Sequence, residues 1–277
     1  MPKTWFITGC STGFGRLLTQ ALHARGDNVV ATARKVETLA DLGKSDESRI
    51  LRLSLDVTVA AQVDAAVETA LSRFGAIDVL VNNAGYGYFS VQEEGDLAEI
   101  RAMYETNVFG LIQMTQAVLP QMRERRSGTI VNLSSIAGRI GSPRSGFYQS
   151  TKWAVEALSE SLHNETGSFG IKIVVIEPGL FSTDFPMSAR RQDPEIAAQS
   201  PYAEVGESWT RNFGGKYFTE KQDPQLVVSE ILRGVDEGQR FVRIPVGNDS
   251  RLLVAKREEH GFDGFVSWLH DELHEGA

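Results

Sequence analysis

Cysteine is nearly missing, since Cys10 is the only thiol in 277 residues. An internal disulfide is impossible, and the expected setting is a reducing one, the cytoplasm. Nowhere do about 18 apolar residues run uninterrupted, so no membrane span is expected. The apolar stretch after Met1 is too short for a secretion signal. Three Asn-x-Ser/Thr sequons begin at Asn132, Asn164 and Asn248, and without secretion they carry no meaning. The tetrapeptide His270–Leu273 spells an ER-retention signal, yet four residues follow it, so it is not read as one. An excess of basic charge is also lacking. Lys+Arg number 28 against 36 Asp+Glu, a net charge of −8, which repels phosphate backbones and speaks against nucleic-acid binding. Metal-ligand clusters are lacking as well. His270 and His274 have only Asp271, Glu272 and Glu275 beside them, which reads as a solvated tail helix with no metal.

What is present is a chain 42% hydrophobic and 23% charged, which excludes disorder and supports a large core. Short β-branched runs at 5–8, 28–33, 50–55, 77–82, 129–133, 171–177 and 240–245 read as strands buried on both faces. Amphipathic stretches at 15–25, 60–74, 96–123, 148–168 and 224–237 carry apolar residues at helical spacing. Strand alternating with helix predicts parallel pairing and right-handed crossovers. The expected fold is α/β: a doubly wound, parallel, seven-stranded, Rossmann-like sheet in one domain. Residues 1–249 form the main unit in this reading, with an aperiodic stretch at 180–221 of the kind that serves as a lid or binding segment. Residues 250–277 are an extension packed on it through Phe262, Phe265, Trp268 and Leu269.

The first strand runs into Thr8-Gly9-Cys10-Ser11-Thr12-Gly13-Phe14-Gly15 and then a helix. Glycines let backbone turn tightly and approach a diphosphate, whose charge sits well at a helix N-terminus. A plain strand-to-helix turn is the alternative. The second strand ends Ala33-Arg34, where dinucleotide folds that bind the ribose 2′-hydroxyl place an acid. An arginine there suits a 2′-phosphate, so NADP(H) is expected ahead of NAD(H). Cys10 reads as a small spacer.

Tyr148 and Lys152 stand four apart near a helix start and share a face. A nearby ammonium favours a phenolate, and a phenol so tuned can give or take a proton at a carbonyl oxygen. Ser135, after the fifth strand, can hydrogen-bond the same oxygen. Alone, Tyr-x-x-x-Lys is a common helix-surface pair. Its force comes from where it stands in this chain.

Together these residues resemble the short-chain dehydrogenase/reductase family, over about residues 1–185 and more loosely 222–246. The glycine loop is similar to its cofactor motif, contributing Gly9, Ser11, Thr12, Gly13, Phe14 and Gly15. Asp56-Val57-Thr58 resembles the adenine-contacting segment, and Asn82-Asn83-Ala84-Gly85 the motif after the fourth strand. Val131-Asn132-Leu133-Ser134-Ser135 resembles the serine strand, its second serine in the catalytic position. Pro178-Gly179 with Thr183 resembles the segment that contacts the nicotinamide carboxamide. The resemblance implies a hydride-transfer enzyme with Asn107, Ser135, Tyr148 and Lys152 as its catalytic residues. Tyr148 would be the acid or base and Ser135 would position the substrate oxygen. Lys152 would hold the nicotinamide ribose and acidify the phenol, and Asn107 would order a water reaching Lys152. Arg34 alone carries the NADP preference, because Thr12 stands where such members often have a basic residue. A homodimer or homotetramer is implied by analogy.

Tyr86, Tyr88, Phe89, Phe147, Phe181, Phe185, Tyr202, Trp209, Phe213, Tyr217 and Phe218 fall in segments expected around the site. They suggest a large apolar substrate, unless they pack only on their own domain. Two other readings stand beside the leading one: an NAD-linked alcohol dehydrogenase, and a silent nucleotide-binding regulator on the same fold.

Overall fold

The computed structural model describes residues 2–183, 189–191, 194–237 and 239–274. Seven strands form one parallel sheet: β1 Thr4–Ile7, β2 Asn28–Ala33, β3 Ile50–Ser54, β4 Val79–Asn82, β5 Gly128–Leu133, β6 Ile171–Pro178 and β7 Phe241–Val246. Their order is β3-β2-β1-β4-β5-β6-β7. The chain reverses its direction of travel between β1 and β4, where open sheets leave a crevice at the carboxyl ends of the strands.

Alternation along each strand builds two apolar layers. Trp5, Ile7, Val29, Ala31, Val79 and Val81 enter one layer, with Leu18 and Leu22 of α1 (Gly13–Arg25). Phe6, Val30, Leu80 and Ile130 enter the other, against Val63 and Val67 of α2 (Ala60–Phe74). Both faces are covered, which is why these runs are apolar throughout rather than alternating.

The helix expected over 96–123 is divided. α3 spans Leu97–Tyr104, a π-helical turn occupies Glu105–Phe109, and α4 spans Gly110–Arg125. The wider turn buries Asn107 and Val108. Gly110 then packs so close to Val57 that a Cβ would lie 2.5 Å from its Cγ2. α5 covers Gly146–Thr166. The segment 180–221 is not structureless, for it carries α6 (Pro194–Gln199), α7 (Ala203–Ser208) and a π-helical turn at Trp209–Gly214. Arg190–Arg191 pairs in parallel with Tyr88–Phe89 as a small ladder.

After α8 (Gln225–Asp236) and β7 comes α9, Asn248–His274, broken at Gly261 where φ is 69°. Phe265, Leu269 and Leu273 of α9 are buried against Phe213, with Trp209, Tyr217, Phe218 and Trp268 packed around them. Phe262 departs from expectation. It is 64% exposed, and its ring meets the edge of Trp153 and the Arg257 guanidinium. The break at Gly261 turns it out of the apolar stripe. Among the described residues no helix is long and apolar enough to cross a membrane.

Candidate active site

The loop from β1 to α1 shows why its glycines are glycines. Gly9 and Gly13 have φ of 73° and 57°, in the left-handed region that side chains disfavour. A Cβ on Gly15 would stand 2.5 Å from the Gly9 carbonyl oxygen. Thr12 caps α1 without a side-chain hydrogen bond, and no acid occupies the first turn. The positive end of the helix is thus left facing the cleft, as anion sites at helix N-termini require. Asn83 braces the loop rather than lining it only. Its Nδ2 donates to Thr8 O at 2.8 Å and Gly9 O at 2.9 Å. Thr8 Oγ1 in turn accepts from the main-chain nitrogens of Asn83 and Ala84, at 3.0 and 2.9 Å. Thr8 is a bracing residue that the motif alone does not single out.

A cleft of about 660 Å³ opens here, within the usual range for ligand pockets. Ser11, Thr12, Gly13, Phe14, Arg34, Asp56, Val57, Ala84, Gly85, Pro178 and Thr183 all line it, as do Gly9, Asn83, Tyr148 and Lys152. An elongated, phosphate-bearing ligand fits this arrangement: a left-handed glycine cradle, an open helix N-terminus and cations at Arg34 and Lys152. Arg34 is exposed and makes no ion pair among the described residues. The Asp56 carboxylate accepts from Thr58 N at 3.0 Å and Thr58 Oγ1 at 2.7 Å. Gly15, Asn107, Ser135 and Gly179 stand behind the lining. Gly179 donates to Val246 O at 2.9 Å, and the next amide, Leu180 N, donates to Asp249 Oδ2 at 2.6 Å.

At the far end, Ser135 stands two residues after β5 and caps a short turn. Its hydroxyl donates to Pro178 O at 3.2 Å and accepts from Ala137 N at 3.1 Å. It also hydrogen-bonds Tyr148. The Tyr148 ring is buried with Tyr88 and Met103, 5.6 Å from the Phe89 ring. Lys152 Nζ lies 5.8 Å from the Tyr148 ring centroid and donates to Leu133 O at 2.7 Å. Asn107 Nδ2 donates to Tyr86 O at 2.8 Å and Thr151 Oγ1 at 3.1 Å, while its Oδ1 accepts from Tyr86 N at 3.0 Å.

The electrostatic balance differs from the expected one. Burial pushes the Tyr148 phenol above its ordinary value, and the Ser135 hydrogen bond only partly opposes this. Burial also pulls Lys152 from 10.5 down to about 8, with Glu156 opposing. The ammonium, turned toward the Leu133 carbonyl, does not offset the phenol's desolvation in the protein alone. Cys10 is buried and driven up to about 11, the behaviour of a spacer rather than a nucleophile.

The aromatic residues divide among several places. Tyr86, Tyr88, Phe89 and Phe147 do cluster with Tyr148. Phe181 packs on Phe14 at 5.7 Å. Trp209, Phe213, Tyr217 and Phe218 instead form the separate cluster under α9, Tyr202 is exposed, and Phe185 lies outside the described residues. Among the described residues no group of three or more His, Cys, Asp or Glu is placed to hold a metal.

Comparison with known proteins agrees with this geometry. Residues 3–194 match the family described as short chain dehydrogenase. A 3-ketodihydrosphingosine reductase of Bacteroides thetaiotaomicron is 35% identical over 277 residues, covering 98% of this chain and 95% of the relative. A short-chain dehydrogenase of Streptomyces avermitilis superposes with a TM-score of 0.82 at 33% identity, covering 100% of this chain and 98% of the other. A short chain dehydrogenase of Burkholderia cenocepacia, solved in complex with NADP, gives 0.73 at 25% identity, covering 93% of each chain.

Proposed function

This chain belongs to the short-chain dehydrogenase family and is an oxidoreductase, and we propose that it moves a hydride between NADP(H) and a carbonyl or secondary alcohol carbon of a bulky, apolar small molecule. The chemistry the bound cofactor supplies is the hydride itself. Gly9, Ser11, Thr12, Gly13, Phe14 and Gly15 would cradle its diphosphate, with Asn83, Ala84 and Gly85 behind them. Asp56 and Val57 would flank the adenine, and Pro178, Gly179 and Thr183 the nicotinamide carboxamide. Arg34, exposed at the cleft edge and in no ion pair among the described residues, would take the 2′-phosphate. The Burkholderia cenocepacia structure is one of the same fold that holds NADP.

One observation carries the mechanism: the Tyr148 hydroxyl is bonded to Ser135, with buried Lys152 one helical turn on, at the mouth of a phosphate-ready cleft. Tyr148 gives a proton to the substrate oxygen during reduction and takes it back during oxidation. Ser135 holds that oxygen in place. Lys152 binds the ribose and favours the phenolate through its charge. Asn107, fixed to Tyr86 and Thr151, holds the end of a water path to Lys152. The Tyr88, Phe89 and Phe147 rings beside Tyr148 suit an apolar substrate, and a relative named for a ketodihydrosphingosine supports that class.

The catalytic unit in this proposal is residues 1–249, with 180–221 closing over the substrate and 250–277 bracing that segment. Leu97 and Phe109, 62% and 47% exposed, support self-association as a homodimer or homotetramer, and a buried, unpaired Cys10 suits a cytoplasmic setting. The test is Tyr148→Phe. Turnover of apolar ketones falls about 10²–10⁴-fold while NADPH binding, read by its fluorescence, persists. Near-normal turnover in that variant refutes the assignment.

A further inference from the structure

Behind the cleft wall, the first turn of α9 meets the chain that leaves β6. Asp249, in that turn, is buried. Its Oδ2 accepts from Leu180 N at 2.6 Å. Its Oδ1 accepts from Gln222 Nε2 at 2.9 Å and from Ser250 N at 2.8 Å. Gln222 Oε1 accepts in turn from Asn248 N at 2.7 Å. The main chain of Gln222 holds the same segment, its N donating to Leu180 O at 3.4 Å and its O accepting from Ser182 N at 3.1 Å. Both close approaches need glycine. A Cβ on Gly179 would lie 1.9 Å from Asp249 Oδ1, and one on Gly247, where φ is 100°, would lie 2.6 Å from Gln222 Nε2.

The segment so held runs between two residues of the cleft wall, Pro178 and Thr183. Pro178 O accepts from the Ser135 hydroxyl at 3.2 Å. Thr183 faces the glycine loop, for a Cβ on Gly13 would lie 3.9 Å from the Thr183 Cβ. Phe181, between them, meets Phe14 of α1 edge to face. Outside the sheet ladder, Leu180 N needs another acceptor. A carboxylate supplies one in a bond about twice as strong as a neutral one. Asparagine fills the same space but turns an NH2 toward one set of donors, so the volume stays and the hold is lost.

We propose that Asp249 is a positioning residue for the nicotinamide half of the cofactor: from α9, through Leu180 N and Gln222, it sets where Pro178 and Thr183 stand against the glycine loop. This rests on the reading above, in which Pro178, Gly179 and Thr183 flank the carboxamide. The test compares two ligands on the intact protein. NADPH carries the nicotinamide, whereas 2′,5′-ADP keeps the adenosine and its 2′-phosphate without it. In Asp249→Asn the NADPH Kd rises about tenfold and the 2′,5′-ADP Kd keeps its native value. With an apolar ketone, kcat falls while the ketone KM holds. Gln222→Ala, which removes one donor to the same carboxylate, moves the NADPH to 2′,5′-ADP ratio the same way by less. Leu253→Ala, which empties a buried site on the same helix, destabilises the fold but leaves both Kd values alone. A ratio unmoved in Asp249→Asn and Gln222→Ala overturns the proposal, as does a Leu253→Ala protein with the same altered ratio. If the native protein prefers NADH, the ratio is read with NADH and ADP. A native protein that binds neither dinucleotide overturns the functional reading, and this proposal with it, so the unmutated protein tells the two failures apart.

Discussion

The side-chain amide of Asn83 ties the glycine loop to the end of β4, donating to the main-chain oxygens of Thr8 and Gly9 at 2.8 and 2.9 Å. The loop's left-handed glycines therefore do not stand by themselves. The residue that follows a neighbouring strand holds them in place.

Removing that brace should cost affinity before it costs fold. Each hydrogen bond is worth about 0.5–1.5 kcal/mol net. Asn83→Ala is expected to raise the NADPH Kd about tenfold, equivalent to about 1.4 kcal/mol. Fluorescence titration measures it directly. An unchanged Kd would mean that the loop keeps its shape unaided.

Lys152 gives a stability prediction with a definite sign. Its folded value, about 8, lies below the ordinary 10.5 because burial disfavours the ammonium. Below about 8 the lysine is charged in both states and the folded protein bears the whole penalty. Between 8 and 10.5 the folded protein releases its proton first, and the penalty fades as pH rises. Lys152→Met is accordingly expected to be more stable than the native protein at pH 7, by at most about 3 kcal/mol. The difference should close by pH 10.5. Urea unfolding of both proteins across this range checks it, and a difference independent of pH would show an ordinary lysine.

Much of this architecture is legible in the residues themselves. The short β-branched runs mark strands because covering both faces leaves no place for polar alternation. The groups at the mouth of the cleft follow from strand ends and helical spacing. What escaped has physical causes. The turn at Glu105–Phe109 has the same apolar residues as a straight helix, so periodicity cannot show the extra residue per turn that buries Asn107. Glu156 sits on a helix rich in Ser and Glu, where a carboxylate reads as solvated. Only the long-range approach of Arg243 and Glu177 makes it a core residue. Phe213 and Trp209 read as pocket aromatics, but α9, distant in sequence, covers them.

Phe213 shows what that covering is worth. It is fully buried, its ring 4.6 Å from both Trp209 and Tyr217 and 6.2 Å from Trp268. Truncation to alanine leaves a cavity costing about 3–5 kcal/mol. Phe213→Ala should lose that much in denaturant unfolding. Because the cluster fastens α7 and the turn after it to α9, the KM for an apolar ketone should rise while the NADPH Kd holds. Equal loss of both would place the cluster under the whole fold instead of the substrate segment.

In the proposed function Arg34 is the cofactor selector. An exposed guanidinium is solvated by itself, so in a protein bound to NADH it contributes little. Facing a 2′-phosphate it forms charge-assisted hydrogen bonds, worth about 1.5–3 kcal/mol for a charged pair. An aspartate at the same place accepts from the 2′-hydroxyl and repels the phosphate. Arg34→Asp is thus expected to raise the NADPH Kd about 10- to 100-fold and to lower that for NADH. Preference inverts through both changes together. The loss should also shrink as ionic strength rises, since the site is exposed and salt screens it within about 10 Å at 0.1 M. Titrating both cofactors into both proteins at two salt concentrations tests this. If Arg34→Asp weakens NADH and NADPH alike, Arg34 steadies the end of β2 and the selector lies elsewhere.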